Sequence, residues 1–381
     1  MSTPGSRIDI DADALSWNLQ QLRSEMAPTP LIMVVKANAY GHGVDPIVPL
    51  AMDAGQQEFA VFSLDEAKRL LAVAPQARVQ VMGHIGWHWE EAARLGVEPW
   101  LADIAQWPMA QAAAAKHGLR IHVEVETGMH RTGLTPENAL EVLRDPAGVE
   151  IVGLCTHLAG AEDPRNAERV DAQLAKFDEL RNTLIAEGID VPPCHVASSS
   201  AALVRPDLRM DGVRVGIACY GMWPTPDVAH QYQQQSNDPI ALRRVMTWRS
   251  SVMAIQDVPA GDCVGYGLSA CMTQDTSIAV VPVGYGNGLT RNLSNNGFLL
   301  VHGRRCPIVG PVNMNMVQID VSHLESVEPG DEVVLVGAQG EEAIGIHSFS
   351  ESQEVVNYEF MARLDKDIPR MAMRPPLAPA N

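Results

Sequence analysis

The chain has 381 residues, enough for about two domains, and its 46% hydrophobic content allows full-sized cores. The formal net charge is −18 and the basic residues are unclustered, which disfavours nucleic acid and anionic membrane as partners. No apolar run is long enough to span a bilayer, and Met1–Arg7 lacks the pattern of a signal peptide, so a cytoplasmic protein is expected.

The first part of the chain alternates strand-like and helix-like segments. Apolar β runs fall at Leu31–Val35, Phe59–Phe62, Val79–Met82, Pro99–Leu101, Ile121–Val125, Val149–Leu154, His195–Ala197 and Val213–Ala218. Amphipathic stretches lie between most of them, at Ala12–Met26, Leu64–Ala72, Ile104–His117, Pro136–Leu143 and Ala167–Glu187. In the last, Leu174, Phe177, Leu180, Leu184 and Ile185 recur at helical spacing. Eight strands alternating with helices fit a parallel (β/α)8 barrel of TIM type. A doubly wound open sheet fits the alternation nearly as well, but no GxGxxG follows an early strand.

Near residue 235 the pattern changes. Gln231–Asp238 is polar and turn-prone, and the segments after it are rich in Val and Ile between Pro-Ala-Gly, Asn-Asn-Gly, His-Gly-Arg and Pro-Gly-Asp turns. A barrel over residues 1–235 and a mainly β domain over 236–381 are expected, with a helical tail at Ser348–Ala362. The six cysteines show no CxxC spacing, so neither a zinc nor a redox motif is indicated, and reduced, mostly buried thiols are expected. No metal site is expected.

Lys36 ends the apolar run Leu31–Val35, where a buried ammonium ion is costly. Such a lysine either snorkels to the surface or is held neutral or covalently engaged, for example as a Schiff base to an aldehyde cofactor. In a barrel, functional groups sit at the C-terminal ends of strands. His157, Ser198–Ser200, Arg214, Gly216 and Ile217 fall at such ends. Backbone N–H groups at Gly216 and the Ser199 hydroxyl suit a phosphate ester, and Tyr40 and Tyr358 offer phenolic donors. Equally, a barrel serine can be a turn former and Tyr358 a half-buried helix tyrosine.

The string Val34-Val35-Lys36-Ala37-Asn38-Ala39-Tyr40-Gly41-His42-Gly43 resembles the pyridoxal phosphate signature of the alanine racemase family. Segments similar to His195–Ala201, Arg214–Tyr220 and Tyr358–Pro369 occur there in the same order, and the resemblance runs from about Ile8 to Arg370. It implies pyridoxal 5′-phosphate bound as an imine at Lys36, with Tyr40, Ser199, Gly216, Ile217 and Tyr358 at its phosphate. It implies Arg214 at the pyridine nitrogen, with His157 orienting it. It implies racemisation between Lys36 and Tyr266, the tyrosine of Gly265-Tyr266-Gly267, contributed across a head-to-tail homodimer. Thr127-Gly128-Met129-His130-Arg131-Thr132-Gly133 resembles the segment whose arginine holds the substrate carboxylate. The backbone at Met314 matches a further carboxylate contact, and Tyr285 and Arg291 the entry channel.

The chain departs from that family near the substrate. Pro311-Val312-Asn313-Met314-Asn315 stands where Arg-x-Cys-Met-Asp is common, and Glu124 where a carbamylated lysine is found. The asparagine pair resembles broad-specificity racemases, so alanine or a wider set including serine is expected as substrate. Glu124 is expected to pair with Arg131. Two other activities fit less well: an amino acid decarboxylase of the same fold type, and a non-enzymatic pyridoxal phosphate carrier.

Overall fold

A computed structural model describes residues 5–346 and 357–373. Those residues divide into two compact units. One holds Ala14–Ala39 and Ile47–Arg243. The other holds the described residues up to Asp13, Tyr40–Pro46, and those from Arg244 on. The chain therefore passes between units more often than the single change expected near residue 235.

The first unit is a barrel of eight parallel strands: Leu31–Val34, Glu58–Val61, Arg78–Val81, Glu98–Leu101, Arg120–Glu124, Glu150–Cys155, Cys194–His195 and Val213–Val215. Each strand pairs with the next along the sheet until the seventh. The eighth returns to the first, with Leu31 opposite Val213 and Met33 opposite Val215. The seventh and eighth are joined by the isolated Ser198–Arg214 bridge and by the Arg214 N–H donating to the Ala197 carbonyl at 3.0 Å, which nearly closes the barrel. The strands read as continuous apolar runs because both faces are covered; Leu31–Val34 is buried throughout. The sixth strand breaks register beside Ile121/His122. A side chain at Gly153 would collide with the His122 ring, so the sixth strand carries a glycine there and the imidazole occupies the space.

The helix Ala167–Ala186 buries Val170, Gln173, Phe177, Leu180 and Leu184. Ile185, expected on that face, is 61% exposed, because one residue beyond Leu184 turns about 100° off the stripe.

The second unit is mainly β. Its larger sheet runs Arg304–Pro307, Phe298–Val301, Glu332–Gln339, Met246–Ser251, Arg7–Asp11 and Arg370–Met373, with Glu342–Ile344 on the edge of Glu332–Gln339. A three-stranded sheet joins Ala254–Val258, Thr276–Val281 and Val317–Asp320. The strand Arg7–Asp11 pairs with Met246–Ser251 on one side and Arg370–Met373 on the other. Alternation decides its place: Ile8 and Ile10 are fully buried, while Asp9 takes ion pairs from Arg7 and Arg249, each at 3.0 Å. Of the expected helical tail, Asn357–Ala362 is a helix; the stretch 347–356 lies outside the described residues. Among the described residues no helix is long and apolar enough to cross a membrane.

Candidate active site

Lys36 stands just past the first barrel strand, and the backbone then does something unusual. Ala37, Asn38 and Ala39 all adopt left-handed helical angles, with φ of 51°, 55° and 54°, and Tyr40 continues at 51°. Each such residue costs roughly 1–2 kcal/mol, so the turn needs outside support. Glu66 provides it. One carboxylate oxygen accepts the Ala37 N–H at 2.7 Å; the other accepts the Phe62 N–H at 2.7 Å and the Ser63 N–H at 3.3 Å. Ser63 in turn caps the helix Leu64–Val73 by accepting the Glu66 N–H, completing a capping box. Burial holds the Lys36 ammonium below its ordinary pKa, and the positive charge of Arg131 and then Arg214 adds to this against the opposing pull of Glu66.

Arg214, on the last strand, is 4% exposed and fully engaged. Its guanidinium donates to His195 Nδ1 at 2.7 Å, to the His195 carbonyl at 2.5 Å, and to the Thr156 carbonyl at 2.8 Å. His157 was expected to orient Arg214, but it makes no hydrogen bond to it; His195 does. His195 lies on the strand beside Arg214, whereas His157 follows the end of the sixth strand. His157 is instead pushed down to about 3 by burial and by the charges of Arg214, Arg131 and Lys36.

Behind Arg214 runs a buried chain of imidazoles. His195 Nε2 lies 2.8 Å from His122 Nδ1, and His122 Nε2 lies 3.2 Å from Glu98 Oε2. Arginine only donates, so His195 Nδ1 accepts and its proton sits on Nε2. That forces His122 to accept at Nδ1 and to donate from Nε2 to Glu98. Burial, reinforced by Arg214, drives His195 well below the ordinary imidazole range, and burial lowers His122 too, so both rings stay neutral. Glu98 remains anionic. Burial alone would raise its pKa, but the His122 bond and the charges of Arg78 and Arg120 hold it below the carboxylate range.

Ser199 and Gly216 are brought together: the Gly216 N–H donates to Ser199 Oγ at 3.0 Å, and Ile217 begins a short helical turn. Tyr220 ties that turn to the first strand by donating to the Val34 carbonyl at 2.9 Å. Arg131 is exposed at the end of a loop that Glu126 organises, accepting the backbone N–H groups of Gly128, His130 and Arg131. Glu124 is 2% exposed and bonds the Thr132 side chain rather than pairing with Arg131. One of its oxygens has no hydrogen-bond partner, and burial raises its pKa against the pull of Thr132 and Arg131.

The second unit holds the remaining candidates. The rings of Tyr40 and Tyr358 meet edge to face with centroids 6.3 Å apart. Tyr285 and Met314 are also neighbours. The Tyr285 N–H donates to the Asn313 carbonyl at 2.9 Å and the Gly286 N–H to the Met314 carbonyl at 2.8 Å. Gly284 permits that approach, since a Cβ there would strike Asn313 and Met314. Tyr266 is 81% exposed on a hairpin tip. Cys155, Cys194, Cys219 and Cys306 are buried and free, but Cys263 and Cys271 form a disulfide, contrary to the expectation of reduced thiols. The pairing needs no CxxC spacing because the hairpin brings the two together.

Three residues with clear structural roles escape the sequence reading: Glu66, Glu98 and His122. Only Glu66 had a local signal, the Ser63-x-x-Glu66 capping pattern.

Residues 10–224 match the family described as alanine racemase, N-terminal domain, and residues 245–372 the alanine racemase C-terminal domain. The alanine racemase of Leptospira interrogans is 31% identical over 376 residues, covering 97% of this chain and 96% of its own. The crystal structure of alanine racemase from Streptomyces lavendulae, a D-cycloserine producer, superposes with a TM-score of 0.89 at 29% identity, covering 98% of each chain. That of Bartonella henselae, with covalently bound pyridoxal phosphate, superposes at 0.83 with 28% identity, covering 97% of this chain and 99% of its own. The chain belongs to the alanine racemase family.

Proposed function

We propose that this protein interconverts the L and D forms of a free amino acid, with pyridoxal 5′-phosphate held at Lys36. The observation that carries the reading is the environment of Lys36. Burial and two guanidinium groups press it toward the neutral amine, the form that condenses with an aldehyde. The donor set fits the rest of the cofactor. The Ser199 hydroxyl, whose oxygen accepts the Gly216 N–H, is oriented to donate its own proton to a phosphate, and the phenols of Tyr40 and Tyr358, paired in the second unit, add donors. Ile217 follows Gly216 at the same turn.

When bound, the cofactor supplies an electron-withdrawing system that makes the Cα proton removable. Arg214 does not readily surrender a proton, so a pyridine nitrogen facing it stays unprotonated. Arg214 in that place would keep the electron sink weak and so would disfavour transamination. The relay through His195 and His122 to Glu98 keeps every acceptor behind Arg214 satisfied and the guanidinium fixed. Lys36 and Tyr266 exchange protons at opposite faces of Cα. Arg131 and the backbone at Met314 hold the substrate carboxylate, and Tyr285 lines the approach.

We place Tyr266 in the site of a second copy, within a head-to-tail homodimer; its 81% exposure in the single chain supports this. Asn313 and Asn315 remove a negative charge, and we infer that L-serine turns over within about tenfold of alanine, a barrier difference near 1.4 kcal/mol. The cytoplasm is the address expected from the sequence, while the Cys263–Cys271 disulfide argues for an oxidising compartment, since such bonds are rare in reducing cytosol. Cell fractionation decides between them.

The test is borohydride reduction of the holoenzyme, peptide mapping, and chiral analysis of products from the common L-amino acids. A label on Lys36 with D product is expected; a label elsewhere, or none, ends the reading. The decarboxylase alternative is disfavoured by Arg214 and by the family match, and carbon dioxide release would revive it. A cofactor-bound protein that exchanged no solvent deuterium at Cα would revive the carrier.

A further inference from the structure

Tyr266 stands at the tip of a hairpin closed by the Cys263–Cys271 disulfide. Below the tip the ladder is short. Gly261 N–H donates to the Met272 carbonyl, Met272 N–H to the Asp262 carbonyl, and Val264 N–H to the Ala270 carbonyl, each at 2.8 Å. Cys263 and Cys271 face each other between these bonds as an isolated antiparallel bridge. This is the non-hydrogen-bonded position, where opposed residues lie closest.

Beyond the staple, Val264 is buried and Gly265 packs against Pro311, and the chain then turns outward. Tyr266 is flanked by Gly265 at φ 77° and Gly267 at φ 78°, and Gly267 stands in open space with nothing near it to fix its backbone. Tyr266 and Leu268 are 81% and 84% exposed. On the return side Asn295 donates to the Ser269 carbonyl at 3.2 Å. A base that exchanges a proton must hold its oxygen within hydrogen-bond reach of one carbon, and small misplacements are costly in rate. A phenol carried on two glycines meets that demand poorly unless the base of its loop is fixed.

We propose that the Cys263–Cys271 disulfide is a positioning element for Tyr266, setting the loop so that the phenol reaches Cα, and that its reduction slows the reaction. The inference rests on Tyr266 being the second base. Reduction by a water-soluble phosphine breaks the S–S bond; phosphorus takes an oxygen atom from water and is oxidised to phosphine oxide, and two thiols appear. Cys271 is exposed, so the reagent has access in the single chain. The enzyme is then fast where thiols are oxidised and slow where they are kept reduced.

The experiment compares holoenzyme as purified in air, the same sample after phosphine treatment and removal, the Cys263→Ser/Cys271→Ser variant, and Tyr266→Phe. Non-reducing peptide mapping reports the bond. We expect kcat to fall about tenfold on reduction and in the double variant, with KM nearly unchanged and the cofactor absorbance intact. The solvent deuterium isotope effect on kcat should rise, because proton transfer becomes more limiting; a merely smaller folded fraction leaves it unchanged. Reoxidation with oxidised glutathione should restore the wild type and not the variant. Two free thiols in the air-purified enzyme, or a reduced enzyme as fast as the oxidised one while Tyr266→Phe is inactive, overturns the positioning role and leaves Tyr266 in place. Full activity of Tyr266→Phe overturns its assignment as a base instead.

Discussion

Replacing Glu66 by glutamine tests how Lys36 is held. The left-handed turn from Ala37 to Tyr40 carries four non-glycine residues at positive φ, a cost of about 4–8 kcal/mol at 1–2 per residue. Both oxygens of Glu66 accept backbone N–H groups, one of them from Ala37. An amide has a single oxygen, so in Glu66→Gln one N–H group must face an NH2 donor. Hydrogen bonds to a charged group contribute about 1.5–3 kcal/mol, and water reaches this half-buried carboxylate, so the expected loss is about 1.5 kcal/mol. Glu66→Ala should lose little more. Relaxation of Ala37 moves its neighbour Lys36, and a displacement near 1 Å costs up to about 100-fold in rate. Urea unfolding followed by tryptophan fluorescence gives the stability, and chiral product analysis gives kcat/KM. A glutamine variant that matched wild type in both assays would refute the clamp.

Further tests follow from the same geometry. Glu98→Leu leaves the His122 N–H without its acceptor and should cost about 2–3 kcal/mol, whereas Glu98→Gln keeps an acceptor and should cost about 1. Because the folded carboxyl of Glu98 is held low, its contribution is complete above the unfolded carboxylate range and is lost as pH falls through the folded pKa. Wild type and Glu98→Gln should therefore converge in acid, which unfolding curves at neutral and acid pH check. Mixing inactive Lys36→Ala with inactive Tyr266→Phe should restore about a quarter of wild-type activity if each site draws on both copies, and none if each chain is self-sufficient. Bicarbonate should not stimulate the enzyme, and Glu124→Ala should raise KM by removing the buried acceptor that bonds Thr132, the residue after Arg131; an unchanged KM removes that role.

What the sequence made legible was contiguous. Lys36 lies in a ten-residue string, and Tyr285 and Met314 lie in two compact segments that the fold does bring together. What it hid was assembled from distant strands. Glu98, His122 and His195 sit on three different strands, far apart in the sequence, and only the closed sheet brings their side chains into one hydrogen-bonded line. Arg214's hydrogen-bond partner is likewise a strand neighbour, His195, while His157 is close enough to feel its charge. Arg7–Asp11 escaped because alternating aspartates interrupt its apolar run, and its partners lie at residues 246–251 and 370–373. Cys263 and Cys271 are eight residues apart, a spacing meaningful only once the hairpin is known.

The charges around Lys36 make opposed demands that can be separated. Burial, Arg131 and Arg214 lower its pKa, and Glu66 raises it. The folded state therefore carries a penalty that is full below the depressed folded pKa and fades as pH rises toward the ordinary lysine range. Arg131→Ala removes a repelling charge and should move the Lys36 titration upward. Glu66→Gln removes an attracting one and should move it downward, even though both substitutions slow the enzyme. Reductive methylation of cofactor-stripped protein across pH, with Lys36 followed by mass spectrometry, reads the shift. Displacement of both variants in the same direction would mean that loop relaxation and solvent entry, not Coulomb interaction, set the state of this amine.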